Sequence, residues 1–211
     1  MRGRTVTPPP RAAVPQPQGR AWQAVASLLA VLALVGLALP PDTLAWTRET
    51  AGQPARWFTP VAVHLSVLHL LANAAGLLLL ALLGRAVALP PAAAVAWLSA
   101  WPLTHLSLVL APGLMRYGGL SGVLHAGAAV AAVFMLAMPV RRQRLLGAAL
   151  AAGLTFKLHS ENFWVAPLQE HPGWGFPVAV ISHATGAVAG SGAALVALGW
   201  RRLRRFPATS G

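Results

Sequence analysis

The sequence predicts an all-α, polytopic membrane protein with six transmembrane helices, and three observations carry that prediction. Hydrophobic residues make up 56% of the 211 and charged residues only 9%, where an ordinary soluble domain has about a quarter charged. The apolar residues are gathered into runs near the length an α-helix needs to cross about 30 Å of hydrocarbon. The basic residues stand in short clusters between those runs, so the net charge of +12 reads as positive-inside bias and not as a nucleic-acid surface. With no cysteine in the chain, disulfides, thiol chemistry and cysteine-based metal sites are excluded.

Residues 1–20, rich in Pro, Arg and Gln, cannot bury a core and are expected to form a disordered basic tail. The membrane domain is expected over 21–200. Its first span, Ala21 to Pro40, has the length of a transmembrane helix and is followed by further spans, which argues against a cleaved signal peptide. Pro40-Pro41 ends it. The loop Asp42 to Pro60 carries Trp46, Trp57 and Phe58, rings expected at headgroup depth.

The second span, Val61 to Leu83, confines its polar groups His64, Ser66, His69 and Asn73 to its first half. Pro90-Pro91 introduces the third, Ala92 to Leu110, where Pro102 predicts a kink because it frees a carbonyl. The fourth, Gly119 to Met138, presents Gly122, Ala126 and Gly127, a small-residue face for close helix contact. The fifth runs from Leu145 to His159 or Ser160 if Lys157 snorkels to the interface. The sixth, Pro177 to Trp200, carries Gly186 and Gly190 at a spacing suited to helix packing. Residues 201–211 form a second basic tail.

Six spans give an orientation. With both termini cytoplasmic, Arg2, Arg4, Arg11, Arg20, Arg85, Arg141, Arg142, Arg144, Arg201, Arg202, Arg204 and Arg205 lie inside, twelve of the sixteen basic residues. Arg48, Arg56, Arg116 and Lys157 lie outside together with all four acids. The opposite topology would reverse the bias. The second, fourth and sixth spans then all begin at the outer face.

That geometry directs Ser121, His183, His69 and Asn73 to one layer in the outer half of the bilayer. Asn73 follows His69 by one helical turn on the same face. A serine hydroxyl becomes a nucleophile when a base takes its proton, and His183 is the available base. Gly119 and Gly122 beside Ser121 allow a backbone N–H to approach a developing oxyanion, to which His69 and Asn73 can also donate. No acid lies within a span, so the expectation is a Ser–His dyad without a carboxylate. Structural glue between helices is the simpler role for a lone intramembrane histidine, and His64, His105 and His125 are assigned to it or to support. No metal and no cofactor are expected, since the histidine spacings match no common site.

The chain resembles the rhomboid intramembrane serine proteases, and in its compact form the rhombosortase branch. The resemblance rests on His64, His69 and Asn73 in the second span, on Gly119, Ser121 and Gly122 in a Gly-x-Ser-Gly loop, and on His183, Gly186 and Gly190 in the last span. It implies a six-helix rhomboid-like bundle in which Ser121 is the nucleophile and His183 its base. It further implies that His69, Asn73 and the Ser121 N–H serve the oxyanion, with His64 near the water-access side of the same cavity. The first loop departs from the family pattern, because it is short and Arg56-Trp57 reverses the usual Trp-Arg order.

The rhombosortase likeness implies a transmembrane protein substrate ending in a Gly-Gly motif, a helix and a basic tail. It also implies residence in a bacterial inner membrane with the site opening to the periplasm. Glycines fit such a site because they weaken a helix top and expose a carbonyl. Lys157 and Glu161, one turn apart, are expected either to pair structurally or to contact substrate. The alternative is a catalytically silent rhomboid-like protein that binds and escorts membrane clients. The partners expected on either reading are membrane proteins and the lipid bilayer, with no nucleic acid.

Overall fold

The structure, a computed structural model, describes residues 19–204; the expected tail over 1–18 and most of that over 201–211 lie outside the described residues. Six α-helices follow one another: α1 (Arg20–Val35), α2 (Val67–Ala86), α3 (Pro91–Leu106), α4 (Ser121–Leu136), α5 (Arg141–Ser160) and α6 (Val180–Leu203). An antiparallel pair, β1 (Trp46–Thr47) with β2 (Arg116–Tyr117), joins the two loops at one end of the bundle. Short 3-10 turns prolong α1 to Ala38 and α3 to Leu110, and four helical segments are then long and apolar enough to cross a membrane: Arg20–Ala38, Val67–Ala86, Pro91–Leu110 and Val180–Leu203.

The other two helices fall short of that standard for different reasons. α4 is apolar but has 16 residues, about 24 Å at 1.5 Å per residue. α5 has 20 residues but opens on Arg141, Arg142 and Arg144 and carries Lys157 near its end. It begins four residues before the expected Leu145, directly after Pro139-Val140.

The second span also departs from expectation. Val61 lies in a 3-10 turn over Thr59–Ala62, and α2 starts only after Ser66, whose Oγ accepts the His69 N–H at 3.1 Å. That N-cap satisfies one of the orphan donors of the first turn and fixes where the helix begins. His69 is therefore the third residue of α2, not a residue two turns in. At the far end α6 continues through Leu203, into the segment expected to be tail, and it starts at Val180 because Val178 is held in a bridge to Gln169.

α4 is the centre of the bundle, with Val123, Ala126, Val130, Ala131 and Met135 fully buried. Its tightest neighbour is α6. A Cβ on Gly186 would lie 2.0 Å from the Gly122 carbonyl oxygen, and one on Gly190 would lie 2.3 Å from that of Ala126. The expected packing role of this glycine pair is thus a backbone-to-backbone contact that no side chain permits.

Tryptophans secure the remaining helices. Trp22 of α1 donates its indole N–H to the Leu80 carbonyl at 2.8 Å, and Trp97 of α3 donates to that of Val123 at 2.8 Å. Their rings meet at 4.3 Å. Gly84 and Gly127 make room for them, since a Cβ at either would collide with the indole. Outward, Leu71, Leu78 and Leu82 of α2 and Val188, Leu195 and Val196 of α6 are exposed. A belt of this kind suits hydrocarbon, because water would forgo about 1.5–3 kcal/mol of burial at each such side chain.

The first loop braces the start of α4. The Pro60 carbonyl accepts the Gly119 N–H at 2.8 Å, and Val63 packs where a Cβ on Gly118 would stand. Arg48 donates to the carbonyls of Leu114 and Ala111, tying the same loop to the segment that leads into β2. Trp57 donates to the Ala51 carbonyl at 2.9 Å and offers its own carbonyl to His105 at 2.8 Å.

Candidate active site

Ser121 is the first residue of α4 and Gly119 approaches it with φ +148°. A Cβ on Gly119 would stand 3.1 Å from the His69 ring, so glycine is needed there both for the backbone and for the close approach. The turn is pinned by Tyr117, a buried phenol that donates to the Gly119 carbonyl at 2.8 Å and accepts the Gly122 N–H at 3.4 Å. Burial raises the pKa of this phenol, with hydrogen bonds partly opposing the rise, so it acts as a neutral strut.

The Ser121 hydroxyl lies 3.0 Å from His183 Nε2. His183 is the fourth residue of α6 and is buried. On its other side, Nδ1 lies 2.8 Å from Glu161 Oε2 and 3.0 Å from Oε1. A carboxylate only accepts, so Nδ1 carries the proton and Nε2 presents its lone pair to the serine. This overturns the expectation of a dyad lacking a carboxylate. Glu161 is outside every span, yet it follows the last residue of α5 and is turned inward, 5% exposed.

Local structure explains the placement of Glu161. Asn162 takes the left-handed conformation, φ +46°, which asparagine tolerates better than most residues. Gln169 donates to the carbonyls of Glu161 and Asn162. Lys157, one turn back, forms an ion pair with Glu161 Oε1, so the expected pairing is present while the same carboxylate also holds His183. Burial raises the Glu161 pKa, but the hydrogen bonds and charges of His183 and Lys157 outweigh it and hold the group down at about 2. It is ionised at any ordinary pH.

The donors expected to serve an oxyanion line one cavity with the hydroxyl. His69 Nδ1 accepts the Leu65 N–H at 3.3 Å, which leaves Nε2 as the protonated, donating nitrogen of the neutral ring. The Nδ2 of Asn73, a residue 4% exposed, has no hydrogen-bond partner among the described residues. An orphaned buried amide is costly, and the cost is recovered when an acceptor arrives. The Ser121 N–H, at the first position of a helix, likewise has no intrahelical acceptor.

These groups face a cavity of about 650 Å³ whose apolar walls come from Leu79 and Leu80 of α2 and Leu150 and Leu154 of α5. Ser121, His183, His69, Asn73, Lys157 and Glu161 all line it. Trp174 and Phe176, from the loop between α5 and α6, close over His69, with ring centroids at 6.1 and 5.1 Å. His64 does not share this cavity: it lines a neighbouring one of about 290 Å³ between α1 and α2, which Asn73 also lines. The 3-10 turn before α2 carries His64 to that side. Gly122 serves the site through its N–H to Tyr117 and through packing, since a Cβ there would lie 2.9 Å from the Ser182 carbonyl oxygen.

Besides the Glu161 contact, sequence reasoning missed Tyr117, Trp174 and Phe176, and it gave His125 only a gluing or supporting role. His125 stacks face to face on His183, centroids 4.1 Å apart at 10°, and bonds the Ser121 carbonyl through Nδ1 at 2.7 Å. Its place one turn after Ser121 was the available signal. Tyr117, the one tyrosine in the chain, and the pair Trp174 and Phe176 carried no pattern linking them to Ser121. The donor atoms of His125, Glu161 and His183 lie within 4.8 Å of one another. Both His183 nitrogens and both Glu161 oxygens are already engaged, so a cation there would have to break the hydrogen bonds to Ser121 or between His183 and Glu161.

The arrangement is chemically equipped for acyl transfer: a hydroxyl, a base in the right tautomer, an anion orienting that base, and unsatisfied donors beside a chain-sized apolar cavity. No protein-family model matches the chain, and no curated protein matches it in sequence.

Proposed function

We propose that this chain is an intramembrane serine endopeptidase of the rhomboid type, nearest the rhombosortases, that cleaves a transmembrane protein near the outer membrane face. The single observation that carries the reading is the continuous hydrogen-bond chain from Ser121 through His183 to Glu161, set in a cavity walled by apolar helices. The six-span rhomboid topology, termini inside and site toward the periplasm of a bacterial inner membrane belong to the same proposal. So does a substrate ending in Gly-Gly, a helix and a basic tail.

The reaction proceeds in two halves. His183 Nε2 takes the Ser121 proton as Oγ bonds to the peptide carbonyl carbon, and the oxyanion meets His69 Nε2–H, Asn73 Nδ2–H and the Ser121 N–H. His183 then gives that proton to the departing amine nitrogen, the C–N bond breaks, and an acyl-Ser121 ester remains. Water yields a proton to His183 and attacks the ester. The C–O bond breaks, and Ser121 regains its proton. An amine in place of water would make a new amide by the same steps. Glu161 is a positioning residue: it holds the Nδ1–H tautomer and stabilises the imidazolium that forms.

The test is cleavage, in liposomes, of a reporter ending in Gly-Gly, a helix and a basic tail, alongside labelling by a fluorophosphonate, which reports an activated serine. Wild type is expected to cut and to label, and Ser121→Ala and His183→Ala to do neither. Mass spectrometry of the product separates water from amine as acceptor. Cleavage of an ordinary transmembrane reporter but not this one would retain the protease and remove the sorting substrate. Folded wild type that neither cuts nor labels would leave the silent escort as the reading.

A further inference from the structure

At the end of the bundle opposite Ser121, a cavity of about 1160 Å³ lies between the α2–α3 turn, the α4–α5 turn and the end of α6. Arg144, Arg201 and Arg202 line it with Gln143, and Phe134 and Leu198 form part of its apolar wall. Gln143 is held by the Val87 carbonyl at 3.3 Å. None of the three arginines forms an ion pair among the described residues.

The reason is built into the chain. Its four acids are Asp42, Glu49, Glu161 and Glu170, and every one lies in the loop from α1 to α2 or in the segment from α5 to α6, at the other end of the helices. Among the described residues no carboxylate lines this cavity, so the three arginines that line it have no counter-charge there. Guanidinium is the group that binds phosphate oxygens in pairs. A free anion would satisfy the arginines and leave the apolar wall bare. An amphiphile with an anionic head and acyl chains covers both.

We propose that this cavity binds the phosphodiester headgroup of an anionic lipid, with Arg144, Arg201 and Arg202 on the phosphate and an acyl chain along Phe134 and Leu198. Basic recesses between membrane helices recognise such headgroups by the same chemistry. The site rests on the membrane placement of the helices and does not depend on proteolysis.

The experiment uses the purified full chain, delipidated in a neutral detergent and titrated with phosphatidylglycerol, phosphatidylcholine or inorganic phosphate. Retained adducts are read by native mass spectrometry and the thermal midpoint by light scattering. Phosphatidylglycerol is expected to remain bound and raise the midpoint, while phosphatidylcholine and phosphate do neither. The triple variant R144Q/R201Q/R202Q is expected to bind phosphatidylglycerol on the order of a hundredfold more weakly, at about 1 kcal/mol for each arginine. R141Q/R142Q, whose arginines do not line the cavity, is expected to stay within about threefold of wild type. Equal binding of phosphatidylcholine overturns the headgroup claim, and an equal effect of inorganic phosphate overturns the lipid. A loss in R141Q/R142Q as large as in the triple variant overturns the cavity in favour of a general basic surface. If the triple variant does not fold, Leu198→Trp fills the wall with every charge kept, and unchanged phosphatidylglycerol binding in it overturns the proposal.

Discussion

The contact between α4 and α6 and the gap between α2 and α5 are opposite solutions within one small bundle. α4 and α6 touch backbone to backbone through Gly122, Ala126, Gly186 and Gly190, and they carry Ser121 and His183 a hydrogen bond apart. α2 packs on α1 and α4, and with α5 it shares the walls of the 650 Å³ cavity. The close contact falls where the proposed reaction transfers a proton, and the gap where the proposed polypeptide substrate would lie. A shift of about 1 Å between base and nucleophile is costly to catalysis, whereas a cleft for a chain has to give.

The close α4–α6 contact is most sensitive at its glycines. Gly186→Leu or Gly190→Leu places side-chain atoms where a backbone stands at 2.0 or 2.3 Å. Either variant is expected to lose about 3 kcal/mol or more, with cleavage below detection. Gly192→Leu, on the same helix but in open space, is expected to fold and cut as wild type. Thermal midpoints of the three variants decide whether the α4–α6 approach matters or merely the presence of glycine in α6.

Next in size is Glu161→Gln, which keeps shape but removes the charge facing His183. A fall in kcat of about 10² to 10⁴ with little change in KM is expected, and Glu161→Asp should recover part of it. An unchanged kcat in Glu161→Gln would return the site to a dyad and make the carboxylate structural. Gly119→Ala probes the same rigid side more gently. Its Cβ meets the His69 ring at 3.1 Å and its φ of +148° is unfavourable for alanine, so about a tenfold loss of cleavage in a folded protein is expected.

On the open side, Leu79→Trp and Leu154→Trp narrow the cavity from α2 and from α5. Each is expected to raise KM several-fold while kcat and the thermal midpoint hold, since both side chains face the cavity. The smallest effect is on acid stability. Glu161 sits at about 2 in the folded chain against an ordinary 4.5. Its stabilising contribution is therefore present in full above about pH 4.5 and is lost as pH falls toward 2. Wild type should lose thermal stability across that window more steeply than Glu161→Gln. Parallel curves would mean that the carboxylate gains nothing from its partners.

What could be read beforehand differs by element. Apolar runs located the six helices, to within a few residues except at the start of α2, because such runs are a property of composition. The start of α2 escaped, since Val61 to Ser66 is apolar enough to pass as helix while Pro60 and the Ser66 cap hold it in another conformation. His64 was carried with it into the neighbouring cavity. Ser121, His183, His69 and Asn73 were recognisable as a set because each stands at the start of an apolar run at the same end. Glu161 was visible only as the i+4 partner of Lys157, since local spacing says nothing about a helix 22 residues further on.

The sequence by itself determined which segments are helical, which end of the bundle carries the arginines, and that a hydroxyl, two imidazoles and an amide share one layer. These follow from periodicity, charge and length, which are local quantities. Only the tertiary structure decided that α4 and α6 close to backbone contact, that α2 and α5 stay apart, and that Glu161 turns inward from the end of α5 to hold His183. Those outcomes depend on which surfaces meet after the chain has folded back on itself, and the energy of such a meeting is shared between residues that no short stretch of sequence contains together.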